Sequence, residues 1–335
     1  MKNYSHYVGI DISKNTLDIV LLNSNEKLIY KHFKIENSKE AIAEFINILK
    51  KEELHISNVI FCCENTGIYT YILSDYLSLK KIDLWVVSAI EIKRSKGISR
   101  GKNDKTDARD IAFYSLRNID KLQLYKTSDR SIQELKVLNS EREKIVKSIK
   151  LFSMTSENEN FIPAKILKST KKINEKIIKN LKKSLQDIEK QMKTIIFSNE
   201  ELNNQYQLIK SIPGIGGKTA IYIIIVTKGF DSFKNWRQLA CYSGIAPFEY
   251  SSGSSIKGRT KVSHLADKKM KSLLHMCALT AIKYDPQLKE YYNKKKAEGK
   301  NSMLVLNNIR CKLISRVFAV INRETSYINT YKFAS

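Results

Sequence analysis

Cysteine is scarce here and gives no framework: Cys62, Cys63, Cys241, Cys277 and Cys311 are odd in number, and no C-x-x-C pair has a second half. Disulfide stapling is excluded as the organising principle, and reduced, mostly buried thiols of a cytoplasmic protein are expected. Long apolar runs are also missing. The longest, around Ala220 to Val226, falls far short of the ~20 residues that cross a bilayer. The first twenty residues alternate polar and apolar without a signal-peptide core, so a soluble, intracellular protein is expected. Acidic residues are few, with 34 Asp and Glu against 58 Lys and Arg, for a formal net charge of +24. The excess is spread along the chain and is not gathered in a tail. It points to a long polyanion, because neutralising phosphates releases condensed counterions and gives sequence-independent affinity. With 335 residues there is room for two or three domains with a substantial core.

The apolar pattern divides the chain. Residues 6–11, 17–23 and 27–34 read as strands that pair antiparallel, and a helix follows from about Ser38 with Ala41, Phe45, Ile46 and Leu49 on one face. Next come an apolar strand from Val59 to Cys63, a helix through Tyr71 to Leu79, a strand from Asp83 to Val87, and a helix from about Asp104 to Arg117. The order βββαβαβα is that of a ribonuclease H-like α/β domain over residues 1–125. Residues 126–204 read as two long helices broken near 155–163, with Pro163 between them. In the second, Ile178, Leu181, Leu185, Ile188, Met192 and Ile195 recur in steps of three and four, the seam of an antiparallel coiled coil that could also dimerise, with a helical pair packed on its own domain as the alternative. Residues 205–335 are predicted to be mainly helical.

Within this frame four acids stand where chemistry needs them. Asp11 follows the strand Tyr7-Val-Gly-Ile10, and Glu64 ends the strand Val59 to Cys63. The first and fourth strands are neighbours in this topology, so the two carboxylates would face each other. Asp104 and Asp107, three apart, share one face of a helix start. Four such acids repel each other unless hard cations neutralise them, which makes them candidate Mg²⁺ ligands. Two ions so held can activate an attacking oxygen and stabilise a leaving one in phosphoryl transfer. Singly, Asp104 would serve as a helix cap and Asp11 as a turn acid. An ATPase of the sugar-kinase and actin type also places an acid after its first strand. Asp11-Ile-Ser-Lys-Asn-Thr16 lacks the glycine that lets the backbone approach phosphate, however, and no Gly-rich adenosine loop follows.

Two further segments suit phosphate. The stretch from Phe248 to Thr260 gathers Ser251, Ser252, Gly253, Ser254, Ser255 and Gly258 and reads as an exposed, adaptable loop. A serine in it could attack a phosphodiester, with Lys257, Arg259 and Lys261 supplying positive charge; alternatively the loop only grips phosphate. Ile212-Pro-Gly-Ile-Gly-Gly-Lys218 reads as a helix-hairpin-helix turn whose amides, at Gly214 and Gly216 beside Lys218, would hold a phosphate without reading sequence. A purely structural turn between helices is the alternative. Lys102 precedes the second acid pair, Lys105 lies between its members, and both are further candidate phosphate contacts.

Five motifs taken together carry a resemblance: Tyr7-Val-Gly-Ile-Asp11, Glu64-Asn-Thr-Gly-Ile-Tyr69, Asn103-Asp-Lys-Thr-Asp-Ala-Arg109, Ser211-Ile-Pro-Gly-Ile-Gly216 and Ala246-Pro-Phe-Glu-Tyr-Ser-Ser-Gly-Ser-Ser-Ile-Lys-Gly258. In this order they resemble bacterial insertion-sequence transposases with an Asp-Glu-Asp-Asp RuvC-like domain, relatives of the Piv-type DNA invertases that include bridge-RNA-guided recombinases. The resemblance implies a recombinase with a metal-binding RuvC-like N-terminal domain and a serine nucleophile in a C-terminal transposase domain. That serine falls on Ser252, with Ser251 next to it as the other candidate. It also implies donor and target double-stranded DNA, a non-coding bridge RNA, and homodimers assembling to a tetramer. The setting would be bacterial cytoplasm, in association with the nucleoid. Two competing readings remain open at this point. In one, a RuvC-like nuclease or resolvase cuts with metal-activated water; in the other, a nucleic-acid-binding scaffold cuts nothing.

Overall fold

The computed structural model describes residues 2–24, 29–95, 103–154, 161–246, 248–252, 256–262 and 265–329. The chain separates into two compact units, residues 1–127 and 128–335.

The first unit is built on a five-stranded mixed sheet in the order β3-β2-β1-β4-β5. Its strands are β1 (His6–Ile12), β2 (Thr16–Asn23), β3 (Ile29–Glu36), β4 (Val59–Glu64) and β5 (Leu84–Val87). The meander β1–β2–β3 is antiparallel, whereas β4 lies parallel to both β1 and β5. Strands β1 and β4 are therefore neighbours, as the sequence pattern predicts. The central strands are buried on both faces, hence their nearly continuous apolar reading. One face, with Val8, Ile10, Phe61 and Cys63, packs on Ile42, Phe45 and Leu49 of α1 (Lys39–Lys51) and Leu73 and Leu77 of α2 (Tyr71–Leu79). The other, with Tyr7, Val20, Ile60, Cys62 and Trp85, packs on two further helices. These are α3 (Ala89–Ser95), which the sequence reading did not anticipate, and α4 (Asp104–Arg117).

Helix α4 lies almost on the backbone of β1. A Cβ added at Gly9 would sit 2.2 Å from the Ala108 carbonyl oxygen and 2.3 Å from the Ala112 nitrogen. Glycine is thus required for helix and strand to touch, and this contact brings the first turn of α4 to the C-terminal end of β1. Gly9→Ala is expected to lower the stability of the protein by about 3 kcal/mol, an overpacking cost against rigid backbone, read as a lower midpoint in denaturant.

Among its described residues the second unit is helical apart from a two-stranded ribbon. Helices α5 (Arg130–Ser153) and α6 (Ala164–Ser198) pack on each other and run antiparallel: Arg142 Nε donates to Glu189 Oε1 at 2.9 Å, while residues earlier in α5 share a core with residues later in α6. Their paired roots, Ile132 and Leu135 with Met192 and Ile196, enter one core with the helices that follow. Those are α7 (Glu200–Lys210), α8 (Gly217–Thr227), α9 (Trp236–Tyr242), α10 (Lys268–Tyr284), α11 (Pro286–Ala297) and α12 (Ser302–Arg323). Where the sequence reads as a loop, the chain forms β6 (Phe248–Ser252) and β7 (Ile256–Lys261), paired antiparallel with Ser251 opposite Lys257 and Ser252 opposite Ile256. Phe248, Tyr250 and Ile256 supply strand preference that the serines and glycines obscured. Among the described residues no helix is long and apolar enough to cross a membrane.

Candidate functional site: an acidic strand end and a hydroxyl-rich ribbon

The acids of the first unit are brought together by register and by the helix start. Cys63 of β4 pairs with Ile10 of β1, so Glu64 and Asp11 come next in line on adjacent strands. Asn103 caps α4: its Oδ1 accepts from the Thr106 amide at 2.7 Å, and Thr106 Oγ1 accepts from the Asn103 amide at 3.2 Å. Because Asn103 does the capping, Asp104 and Asp107 are left in the first turn, where the helix dipole favours anions. Lys105 is exposed beside them; Lys102 lies outside the described residues.

Electrostatics tie the four together. The Asp11 carboxyl is pushed up from 3.8 to about 6, first by burial, then by the negative charges of Asp107, Asp104 and Glu64, in that order, and last by Asp18. Such mutual repulsion among oxygen-only donors is what a hard divalent cation relieves, so these residues suit Mg²⁺. Among the described residues, no three His, Cys, Asp or Glu side chains form a preassembled cage for an ion. The Asp104 carboxylate instead reaches toward Lys34, whose Nζ is 4.0 Å from Asp104 Oδ2 and 3.4 Å from Asp18 Oδ2.

Asp18 is a site residue the sequence reading missed. It stands opposite Asp11 in the β1–β2 register and is 5% exposed. His32 Nε2 lies 2.9 Å from its Oδ1. An acid inside the apolar run Leu17-Asp18-Ile19-Val20 was the available signal, since a buried carboxylate needs partners. Also missed was the surface after Glu64. Gly67 has φ +73, and the short 3₁₀ turn Gly67–Thr70 leaves Ile68 80% and Tyr71 52% exposed next to the acidic edge.

In the second unit, the turn from α7 to α8 divides its glycines by task. Gly214 has φ +96, and an added Cβ would lie 2.7 Å from Ala281 Cβ and 2.8 Å from the Cys277 carbonyl oxygen, so this glycine serves packing against α10. Gly216 is the N-cap of α8, carries no side-chain cap, and would point a Cβ into open space. Lys218 is not a free cation; its Nζ is 2.9 Å from Glu189 Oε1. Burial by itself would raise the Glu189 carboxyl, but the hydrogen bonds and charges of Lys218 and Arg142 together bring it below its ordinary range. Arg142, Lys193, Lys210 and Lys218 line a cavity of about 320 Å³ beside Gly217, four cations to the single acid Glu189. Gly214→Ala is expected to unfold the protein at markedly lower denaturant, whereas Gly216→Ala costs only a few tenths of a kcal/mol.

The ribbon carries the remaining candidates on its backbone. Ser252 ends β6, and Lys257, Arg259 and Lys261 lie along β7. Residues 253–255, which include Gly253, Ser254 and Ser255, are outside the described set.

Two family models match this chain. The transposase model of the IS116/IS110/IS902 family matches residues 206–293, and the DEDD transposase model of IS110 matches residues 8–154. The chain belongs to the IS110 family of transposases. The span of the DEDD model contains Asp11, Glu64, Asp104 and Asp107, and the other span contains the α7–α8 turn and the whole ribbon. The pilin gene-inverting proteins of Moraxella lacunata and Moraxella bovis are each 26% identical to this transposase over 337 residues, 96% of this chain and 97% of theirs. The transposase for insertion sequence element IS1533 of Leptospira borgpetersenii is 35% identical over 106 residues, 32% of this chain and 29% of its own.

Proposed function

We propose that this transposase moves its element by cutting and rejoining DNA through a covalent bond to Ser252. The Ser252 hydroxyl attacks the phosphorus of a phosphodiester and a P–O bond to the serine forms. The bond to a deoxyribose oxygen breaks, and that oxygen takes up a proton in place of the one the serine hydroxyl gives up. A deoxyribose hydroxyl attacking the phosphoserine reverses the step and reseals DNA with no external energy source. Relatives named for inverting a gene must both cut and rejoin, which favours a route that conserves the phosphodiester. Asp11, Glu64, Asp104 and Asp107 would hold Mg²⁺, which when bound neutralises phosphate charge and assists attack or departure. Lys34, set between Asp18 and Asp104, would keep the acids partly balanced before the cation arrives.

The observation that supports the metal half of this reading is the convergence of charge from Asp107, Asp104 and Glu64 on a half-buried Asp11 inside the span matched by a DEDD transposase model; the serine half rests on the ribbon's place inside the span of the second transposase model. The open amide end of α8 and Lys257, Arg259 and Lys261 would grip DNA backbone, with Lys105 serving the same end in the first unit. Selection of sites by a non-coding RNA of the element fits a protein whose positive charge is diffuse, including the exposed lysines Lys176, Lys179, Lys182 and Lys183 of α6. The α5–α6 hairpin would join protomers into dimers, and these into a tetramer. The deciding experiment incubates the protein with Mg²⁺ and DNA bearing the element's ends, then denatures it. A denaturant-resistant protein–DNA adduct supports the serine route, and cleavage without any adduct replaces it with attack by water.

A further inference from the structure

Arginines in the second unit are matched to acceptors wherever they serve the fold. Arg142 donates to Glu189, and Arg316 of α12 donates through Nη1 to the buried Asp285 and through Nη2 to Gln287 Oε1 at 2.6 Å. Arg310 breaks this pattern. It is 4% exposed, yet its Nε, closed off from solvent, has no hydrogen-bond partner. Among the described residues no carboxylate pairs with it. Burial lowers its pKa, and only the neighbouring Cys311 thiol works against that. A guanidinium stays charged at any relevant pH, so a buried one without an anion is a group whose counter-charge the described residues do not supply.

Its position says where that counter-charge would come from. One turn of α12 is pinned to the root of the ribbon, since Asn307 Nδ2 donates to the Ile245 carbonyl at 2.6 Å and Cys311 Sγ lies 3.7 Å from the same oxygen. Ile245 stands three residues before β6 begins, and Arg310 lies in the pinned turn. Helical side chains lean toward their own N-terminus. In that direction the same face of α12 passes Leu306, 5% exposed, and opens at Met303, 56% exposed. Arg310 therefore belongs to the helical turn held to the ribbon's root, on a face whose exposure begins two turns away at Met303.

We propose that Arg310 holds a backbone phosphate of the double-stranded DNA engaged by the β6–β7 ribbon, its planar fork taking two phosphate oxygens. The inference rests on the reading of the ribbon as the DNA-cutting segment.

The test is a salt titration of binding to a duplex DNA oligonucleotide, using the full chain, Arg310→Met, Arg310→Lys and Ser252→Ala, with melting temperatures in parallel. Arg310→Met is expected to melt at or above the wild-type temperature, because an unpaired buried charge is replaced by an apolar chain. Its log K against log salt slope should flatten by about one. Arg310→Lys should keep the slope and bind more weakly, as a point charge without the fork. An unchanged slope for Arg310→Met overturns the proposal. So does a melting temperature well below wild type in both Arg310 variants, which would make the guanidinium a fold contact, or a change seen with RNA and not with DNA. Failure of the wild-type chain to bind DNA removes the underlying reading as well. If Ser252→Ala still forms adducts while Arg310→Met loses its contact, the serine assignment alone falls.

Discussion

Ser252→Ala is expected to abolish covalent capture of DNA and to reduce recombination by roughly four orders of magnitude or more, since removal of a nucleophile eliminates the covalent path. The fold should be indifferent: Ser252 is the last position of β6, and an alanine keeps the backbone pairing with Ile256. Melting temperature and DNA binding therefore stay at wild-type values while adducts disappear. The neighbouring Ser251→Ala is the matched control. It removes a hydroxyl one position away and leaves the backbone pairing with Lys257 in place. Adducts retained in Ser252→Ala and lost in Ser251→Ala would move the nucleophile by one position. Cleavage retained in both without adducts would transfer the chemistry to water.

The layout of the first unit was legible because each element carries one strong local signal. Apolar runs mark β1, β2 and β4, and the helix start at Asp104 was read in place, although its cap is Asn103 and not Asp104. The strand order then places Asp11 beside Glu64. What stayed hidden depends on long-range register. Asp18, His32 and Lys34 join only because β2 and β3 pair with Asp18 opposite Lys34, and nothing in the composition of either strand fixes that offset. Helix α3 escaped because seven residues carrying Glu91, Lys93 and Arg94 bury only Ile92, too short a stretch for a period to show. The ribbon was misread for the opposite reason: its serines and glycines dominate the composition, while strand pairing is set by the few aromatic and β-branched residues between them. Arg310 was invisible because a cation in a helix reads as solvent-facing until the burial of its neighbours is known.

Asp11→Asn is expected to separate the chemical from the structural cost of the acidic site. Without divalent cations, the native Asp11 carboxyl titrates at about 6 against an ordinary 3.8, so between roughly pH 4 and 6 the native state binds more protons than the unfolded one. Stability then falls as pH rises through that window, and at neutral pH the ionised carboxylate costs about 1–2 kcal/mol once solvent screening is allowed for. Asparagine removes the charge and keeps the shape. The variant should melt higher than wild type at pH 7.5 in chelator and lose the slope between pH 4 and 6, while recombination falls to background. Mg²⁺ should raise the wild-type melting temperature at pH 7.5, raise it less at pH 5 where protons compete for the same oxygens, and leave Asp11→Asn nearly unmoved. An equal response to Mg²⁺ in both proteins would show that the ion binds elsewhere. A variant that is more stable yet inactive, and blind to Mg²⁺, is the combination expected when repulsion among carboxylates is retained because a cation must be held there.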